Sequence, residues 1–138
     1  MNYLSIPNQM NPNTTMPRLT ARTALDSLHT VFDALIAAHP FDRITQTVES
    51  RTLYFNGTAS IIKLDAAGGF LHVWCTVPVA VARRFKRASN FFKFAKLPGS
   101  PNKRVCVKRI SSERGVASLV VYLRELLRLF CLEVLRVT

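Results

Sequence analysis

The chain has 138 residues, enough for one ordinary domain and too few for two. An apolar share of 49% against a charged share of 20% excludes a largely disordered chain, and no apolar run reaches the roughly 18 residues of a membrane span. Nineteen Lys and Arg against eight Asp and Glu leave a formal charge of +11, which points to an anionic partner.

Residues 1–19 carry Pro7, Pro12 and Pro17 and read as a flexible arm ahead of a single domain over 20–138. Met1–Met10 has neither a basic nor an apolar stretch of the kind a secretory signal needs, so none is expected. Thr20 is placed to cap a helix over 21–38. Leu25, Leu28, Phe32, Leu35 and Ile36 give that helix one apolar face, and Pro40 stops it. A meander of strands follows: Glu49–Phe55, Ser60–Asp65 and Phe70–Val77. Asn56-Gly57 is a two-residue hairpin signal, and Ala66-Ala67-Gly68-Gly69 is the next turn.

Pro78 suits the start of a second helix, expected to run to about Ala95 with Val81, Phe85, Ala88, Phe92 and Ala95 as its core stripe. Leu97–Asn102 reads as a loop and Lys103–Ile110 as a fourth strand. Ser111 or Ser112 can cap a final helix from Glu113 to about Arg136. The expected fold is therefore α+β in the order α-β-β-β-α-β-α, an antiparallel four-stranded sheet with helices packed mainly on one face. The first five elements follow the order of a double-stranded-RNA-binding domain. Pro78-Val79-Ala80 stands where that family carries its basic cluster, so the likeness is one of layout and no family is assigned.

The charge is unevenly spread. Residues 1–69 hold five basic and five acidic side chains, whereas residues 70–138 hold fourteen basic and three acidic ones. Ten of the basic residues fall between Arg83 and Arg109 with no acid among them: Arg83, Arg84, Lys86, Arg87, Lys93, Lys96, Lys103, Arg104, Lys108 and Arg109. Helical spacing puts Arg83, Lys86, Arg87, Asn90 and Lys93 opposite the apolar stripe, on one solvent face. Such a density of like charge repels itself unless a counter-charge is at hand. These ten are the expected nucleic-acid contacts, made to phosphates. Phe91 and Phe94 lie among them as rings that either pack inward or stack on bases.

Catalytic signals are scarce. Strand alternation sends His72 and Cys75 to opposite faces, so they do not pair, and His72 and Trp74 share a face where packing is the simpler role. His29 and His39 have no carboxylate or cysteine nearby in sequence, and the chain lacks phosphate-loop, nucleophile-elbow and zinc-protease motifs. Cys75, Cys106 and Cys131 are odd in number and widely spaced, which suggests three buried, reduced thiols in an intracellular compartment. No catalytic residue, metal or cofactor is expected. The chain reads as a non-enzymatic nucleic-acid-binding or ribonucleoprotein-associated protein, with RNA and DNA both open. The other reading is an assembly subunit, forming a homodimer or meeting an acidic protein. It rests on Val121, Leu126, Leu129 and Leu132, which lie off the main apolar stripe of the last helix.

Overall fold

The computed structural model describes residues 17–55 and 60–137. The chain runs α1 (Ala21–Ala38), β1 (Arg43–Gln46), β2 (Ser50–Tyr54), β3 (Ile61–Ala67), β4 (Phe70–Pro78), α2 (Val79–Ala88), β5 (Ala95–Leu97), β6 (Ser100–Ile110) and α3 (Glu113–Val137). The α+β class holds, and the sheet has six strands where four were expected. All are antiparallel, in the order β1-β2-β3-β4-β6-β5.

The two additional strands are the edges, and both are short. β1 pairs Ile44 with Leu53, and the chain turns back at Thr47, whose N–H donates to Ser50 O over 3.0 Å. An irregular segment over 89–94, leading into β5, replaces the expected C-terminal part of the second helix. α2 stops at Ala88 because Ser89 adopts an extended backbone, with φ −161°, and its Oγ accepts from the Phe91 N–H at 3.0 Å. A serine hydroxyl that takes a nearby backbone donor competes with helix continuation. Leu97 then pairs with Ser100 around Pro98-Gly99, where Gly99 has φ +77°. Proline followed by a positive-φ glycine is a tight-turn pair, so Leu97–Asn102 is a hairpin and not a loop.

Other local expectations are met. Thr20 caps α1 through a capping box with Thr23, and the helix ends at His39, held extended ahead of Pro40. Gly68 and Gly69 both take positive φ between Ala67 and Phe70, as a two-residue hairpin requires. Ser112 Oγ accepts from Gly115 N–H at 3.1 Å and caps α3. The expected Asn56-Gly57 turn lies outside the described residues, as does most of the 1–19 arm. Within that arm Pro17–Leu19 is docked: Leu19 N–H donates to Ser111 O at 2.9 Å, and Leu19 is buried.

Sheet alternation decides where the core sits. Along β3 and β4 every second residue is buried: Ile62, Leu64, Ala66, then Leu71, Val73, Cys75 and Val77. That face carries all three helices. α1 packs on β2, β3 and β4, α2 packs on β4 and β6, and α3 lies against both helices. Leu28, Val31 and Leu35 from α1 meet Leu119, Leu123 and Leu126 from α3 in one core cluster. Phe55 and Phe130 stack at 4.1 Å between ring centroids and lock α3 to the end of β2. Each such side chain, fully buried, contributes about 1.5–3 kcal/mol. None of the helices in the described residues is long and apolar enough to cross a membrane.

Candidate nucleic-acid interface

Four of the ten expected cations converge on one place. Arg83 and Lys86 are three residues apart on α2 and so share a helix face. Lys93 comes from the 89–94 segment. Arg104 is the register partner of Val77, which puts it on the helix side of β6. The four line a cleft of about 500 Å³ whose walls also include Val79, Ala82, Ser89, Asn90, Phe92 and Phe94, with no acid among its lining residues. The floor is apolar and the rim is cationic. Such a cleft concentrates positive potential against a low-dielectric wall, which attracts anions more strongly than the same charges on a flat surface.

Aromatic packing props this arrangement. Phe85 is fully buried, and Phe92, Phe94 and Tyr122 lie 5.3, 6.0 and 6.2 Å from it between ring centroids. Those contacts pull the 89–94 segment back over α2 and hold Lys93 opposite Lys86. Arg104 is positioned by its own turn: its Nη1 donates to Pro101 O at 3.1 Å and to Lys103 O at 2.9 Å. A guanidinium carries five N–H donors, so donors remain for a phosphate.

The other six expected contacts are distributed differently. Lys96 faces Arg104 across the β5–β6 pair. Lys108 lines an adjoining groove with Lys93 and Phe91, its Nζ 4.4 Å from the Phe91 ring. Arg84 and Arg87 share a further groove with Arg83, Ala80 and Glu133. Lys103 falls on the same side of β6 as Val105, away from the cleft; its Nζ donates to Ser60 Oγ at 2.9 Å, and partial burial pulls its pKa down. Arg109 belongs to the opposite face of the sheet, with its guanidinium carbon 4.4 Å above the Phe70 ring. The ten therefore do not form a single patch: the cleft and its neighbours hold most of them, while Lys103 and Arg109 lie away from it.

The rings among the cations are internal. Phe85 and Phe92 are buried, Phe91 stacks on Tyr122 at 4.5 Å, and Phe94 is half-buried against Phe85. Ala88 and Ala95, expected in the core stripe, are exposed, because the helix ends before that stripe can continue.

The proposed second apolar side of α3 is corrected. Leu126 is 0% and Leu129 6% exposed within the chain's own core, so neither is available to a partner. Val121 at 61% and Leu132 at 40% remain outward, too few for an apolar stripe.

Three features escape sequence reading because they depend on tertiary proximity. Cys131 is exposed, where all three thiols were expected to be buried, and its Sγ lies 3.4 Å from His39 Nδ1, across 92 residues of chain. His39 is almost fully enclosed, 4.8 Å from Phe41 between ring centroids, and burial lowers its pKa, so the ring is neutral at pH 7. A neutral imidazole without an orienting partner gives the thiol no cationic neighbour, and the pair is not a nucleophile–base arrangement of the activated kind. Cys75 and Cys106 face each other across β4 and β6 as free thiols, and burial raises the pKa of both. Trp74 is 40% exposed on the helix-free face of the sheet. Among the described residues no group of three or more His, Cys, Asp or Glu is placed to hold a metal ion.

No protein-family model, curated protein or solved structure matches the chain.

Proposed function

We propose that this chain is a non-enzymatic nucleic-acid-binding protein that grips the phosphate backbone through the cleft between α2, the 89–94 segment and β6. The observation that carries the reading is the convergence of Arg83, Lys86, Lys93 and Arg104 on one cleft without an acid. Arg and Lys neutralise phosphates and release condensed counterions, and four such contacts correspond to a log–log salt slope of about −3.6 on duplex DNA. Asn90 is the one amide side chain lining the cleft, so the grip follows phosphate geometry more than base sequence. The free thiols suit a reducing, intracellular compartment.

The test is a titration of labelled RNA and DNA, single- and double-stranded, at several salt concentrations. Affinity is expected to fall about 100-fold between about 50 and about 200 mM salt. Arg83→Glu with Arg104→Glu is expected to remove most of the salt-dependent part. A flat salt dependence, or full binding by that double variant, rejects the cleft as the grip. The assembly reading is weakened by the burial of Leu126 and Leu129. Its remaining form, an acidic protein in the same cleft, gains if no nucleic acid binds at low salt.

A further inference from the structure

The six-stranded sheet has a second face that the function proposed above does not use. Register places side chains on it in rows across the strands. One row runs Thr45, Thr52, Lys63, Trp74 and Val107. The row on one side of it holds Arg43, Tyr54, Ile61, Thr76 and Val105. The row on the other side holds Ser50, Asp65, His72 and Arg109. Among the described residues no helix covers these rows, because all three helices share the opposite face.

Near the middle of this face stands the chain's single tryptophan. Trp74 is 40% exposed and its cross-strand neighbour Val107 is 64% exposed. A large ring in water on a central strand is an uncommon use of tryptophan. The ring is also fixed in place: its Nε1 donates to Thr76 Oγ1 at 3.0 Å. Two arginines flank it at a distance, each with its guanidinium over a ring. Arg43 has its guanidinium carbon 4.0 Å above Tyr54, and Arg109 lies 4.4 Å above Phe70. Lys63 stands beside Trp74 in the next strand. Against these three cations the rows hold one acid, Asp65, which Lys63 engages at 3.8 Å. The face is therefore aromatic and net positive.

We propose that this open face binds the unpaired bases of a single-stranded nucleic acid, with Trp74 as the stacking platform and Arg43 and Arg109 as cationic flanks. The proposal rests on the nucleic-acid reading above and adds the ligand class and a second contact surface. A base exposes its π face only when it is not stacked in a duplex, and aromatic rings and guanidinium planes both accept it. The open face and the cleft lie on opposite sides of the sheet, because successive residues of β6 alternate: Arg104 points to the cleft side, Val105 and Val107 to the open side. A single strand that uses both surfaces passes round the β5–β6 end of the sheet.

The experiment uses Trp74 emission, which reports on this face alone, beside the anisotropy of a labelled oligonucleotide, which reports on total binding. The probes are a mixed-sequence single strand and the duplex of the same sequence. The single strand is expected to quench Trp74 and the duplex to leave it largely unchanged. Trp74→Ala is expected to weaken single-strand affinity by about tenfold, equivalent to about 1.4 kcal/mol. Trp74→Phe is expected to restore part of that loss, because a smaller ring still stacks, and duplex binding is expected to move little in either variant. If the single strand binds with unchanged emission and Trp74→Ala binds as the parent does, the open face is not the base platform, and the cleft reading stands. If neither strand type binds at low salt, both readings fail. If emission depends on protein concentration with no nucleic acid present, and sedimentation shows a dimer, a second copy covers the face and the proposal is overturned.

Discussion

The two edges of the sheet use the same residue type in opposite ways. At the β1–β2 edge Arg51 is spent inside the fold. Arg51 donates through Nη1 to Thr47 O at 2.6 Å and Ser50 O at 2.9 Å, closing the β1–β2 turn, and its guanidinium lies 5.2 Å from the Phe32 ring. At the β5–β6 edge, where α2 packs, the packing is done by rings, and Arg83, Lys86 and Lys93 are left in water around a cleft. Net charge alone does not separate these cases. A cation that satisfies its own backbone contributes to stability, whereas one held out by an aromatic scaffold is free for an external anion.

The largest expected effect breaks the scaffold and not the charge. Phe85→Ala removes a fully buried ring that touches Phe92, Phe94 and Tyr122. A cavity of that kind costs about 3–5 kcal/mol, measured as a shift in urea midpoint. The salt dependence of whatever binding survives should flatten with it, because Lys93 and Phe94 lose their anchor. A Phe85→Ala protein that keeps parental stability contradicts the view that this edge is built on its rings.

A smaller change tests the other edge. Arg51→Ala removes two hydrogen bonds to carbonyls and the stack on Phe32, and is expected to cost about 1–2 kcal/mol of unfolding free energy. Polyanion affinity should stay within about twofold, since no cleft residue moves. Lys86→Glu, at an exposed lysine of the cleft, should show the reverse pattern, with little loss of stability and roughly tenfold weaker binding at low salt. If the two variants affect stability and binding alike, the contrast between the edges is wrong.

Much of this was legible in the chain and some was not. Period-2 burial in β3 and β4, the capping Thr20 and the Gly68-Gly69 turn follow from local chemistry and were readable. The end of α2 is not legible in the sequence, because 79–95 keeps a helical apolar spacing as far as Ala95. What ends it is the Ser89 hydroxyl, together with a tertiary demand that Phe92 and Phe94 return to Phe85. Pro98-Gly99 carried a turn signal that pointed to the hairpin. Of the cation cluster, the sequence held composition and helix phase. Whether β6 lay beside α2 depended on strand order, which no local pattern encodes. Lys103 and Arg109 were assigned by density in sequence, and strand alternation then carried them to other surroundings. The same ambiguity misplaced Leu126 and Leu129, because a long helix lodged between α1 and α2 needs apolar residues on more than one side.

The quieter edge also contains the chain's clearest acid sensitivity, and it is the smallest effect expected. His39 ends α1, packs against Phe41 and Phe55, and has its pKa lowered by burial. An unfolded histidine titrates near 6.5. Below about that pH the unfolded chain takes up a proton that the folded chain still refuses, so protons favour unfolding. Stability is therefore full above about pH 7. It falls as pH drops through 6.5, and this contribution levels off once the folded ring is itself protonated. His39→Leu removes the titrating group and keeps an apolar side chain against the two phenylalanines. The variant loses the contact with Cys131, so its midpoint at pH 7.5 is expected to lie slightly below the parent's. The informative quantity is the difference between urea midpoints at pH 7.5 and pH 5.5, which should shrink in the variant. His29 is exposed on α1 and His72 half-buried on the open face, and both remain in the variant, so their contributions cancel in the comparison. An unchanged difference would show that the His39 ring gains a proton as readily inside the fold as outside it, and that the aromatic surround of this edge does not exclude charge.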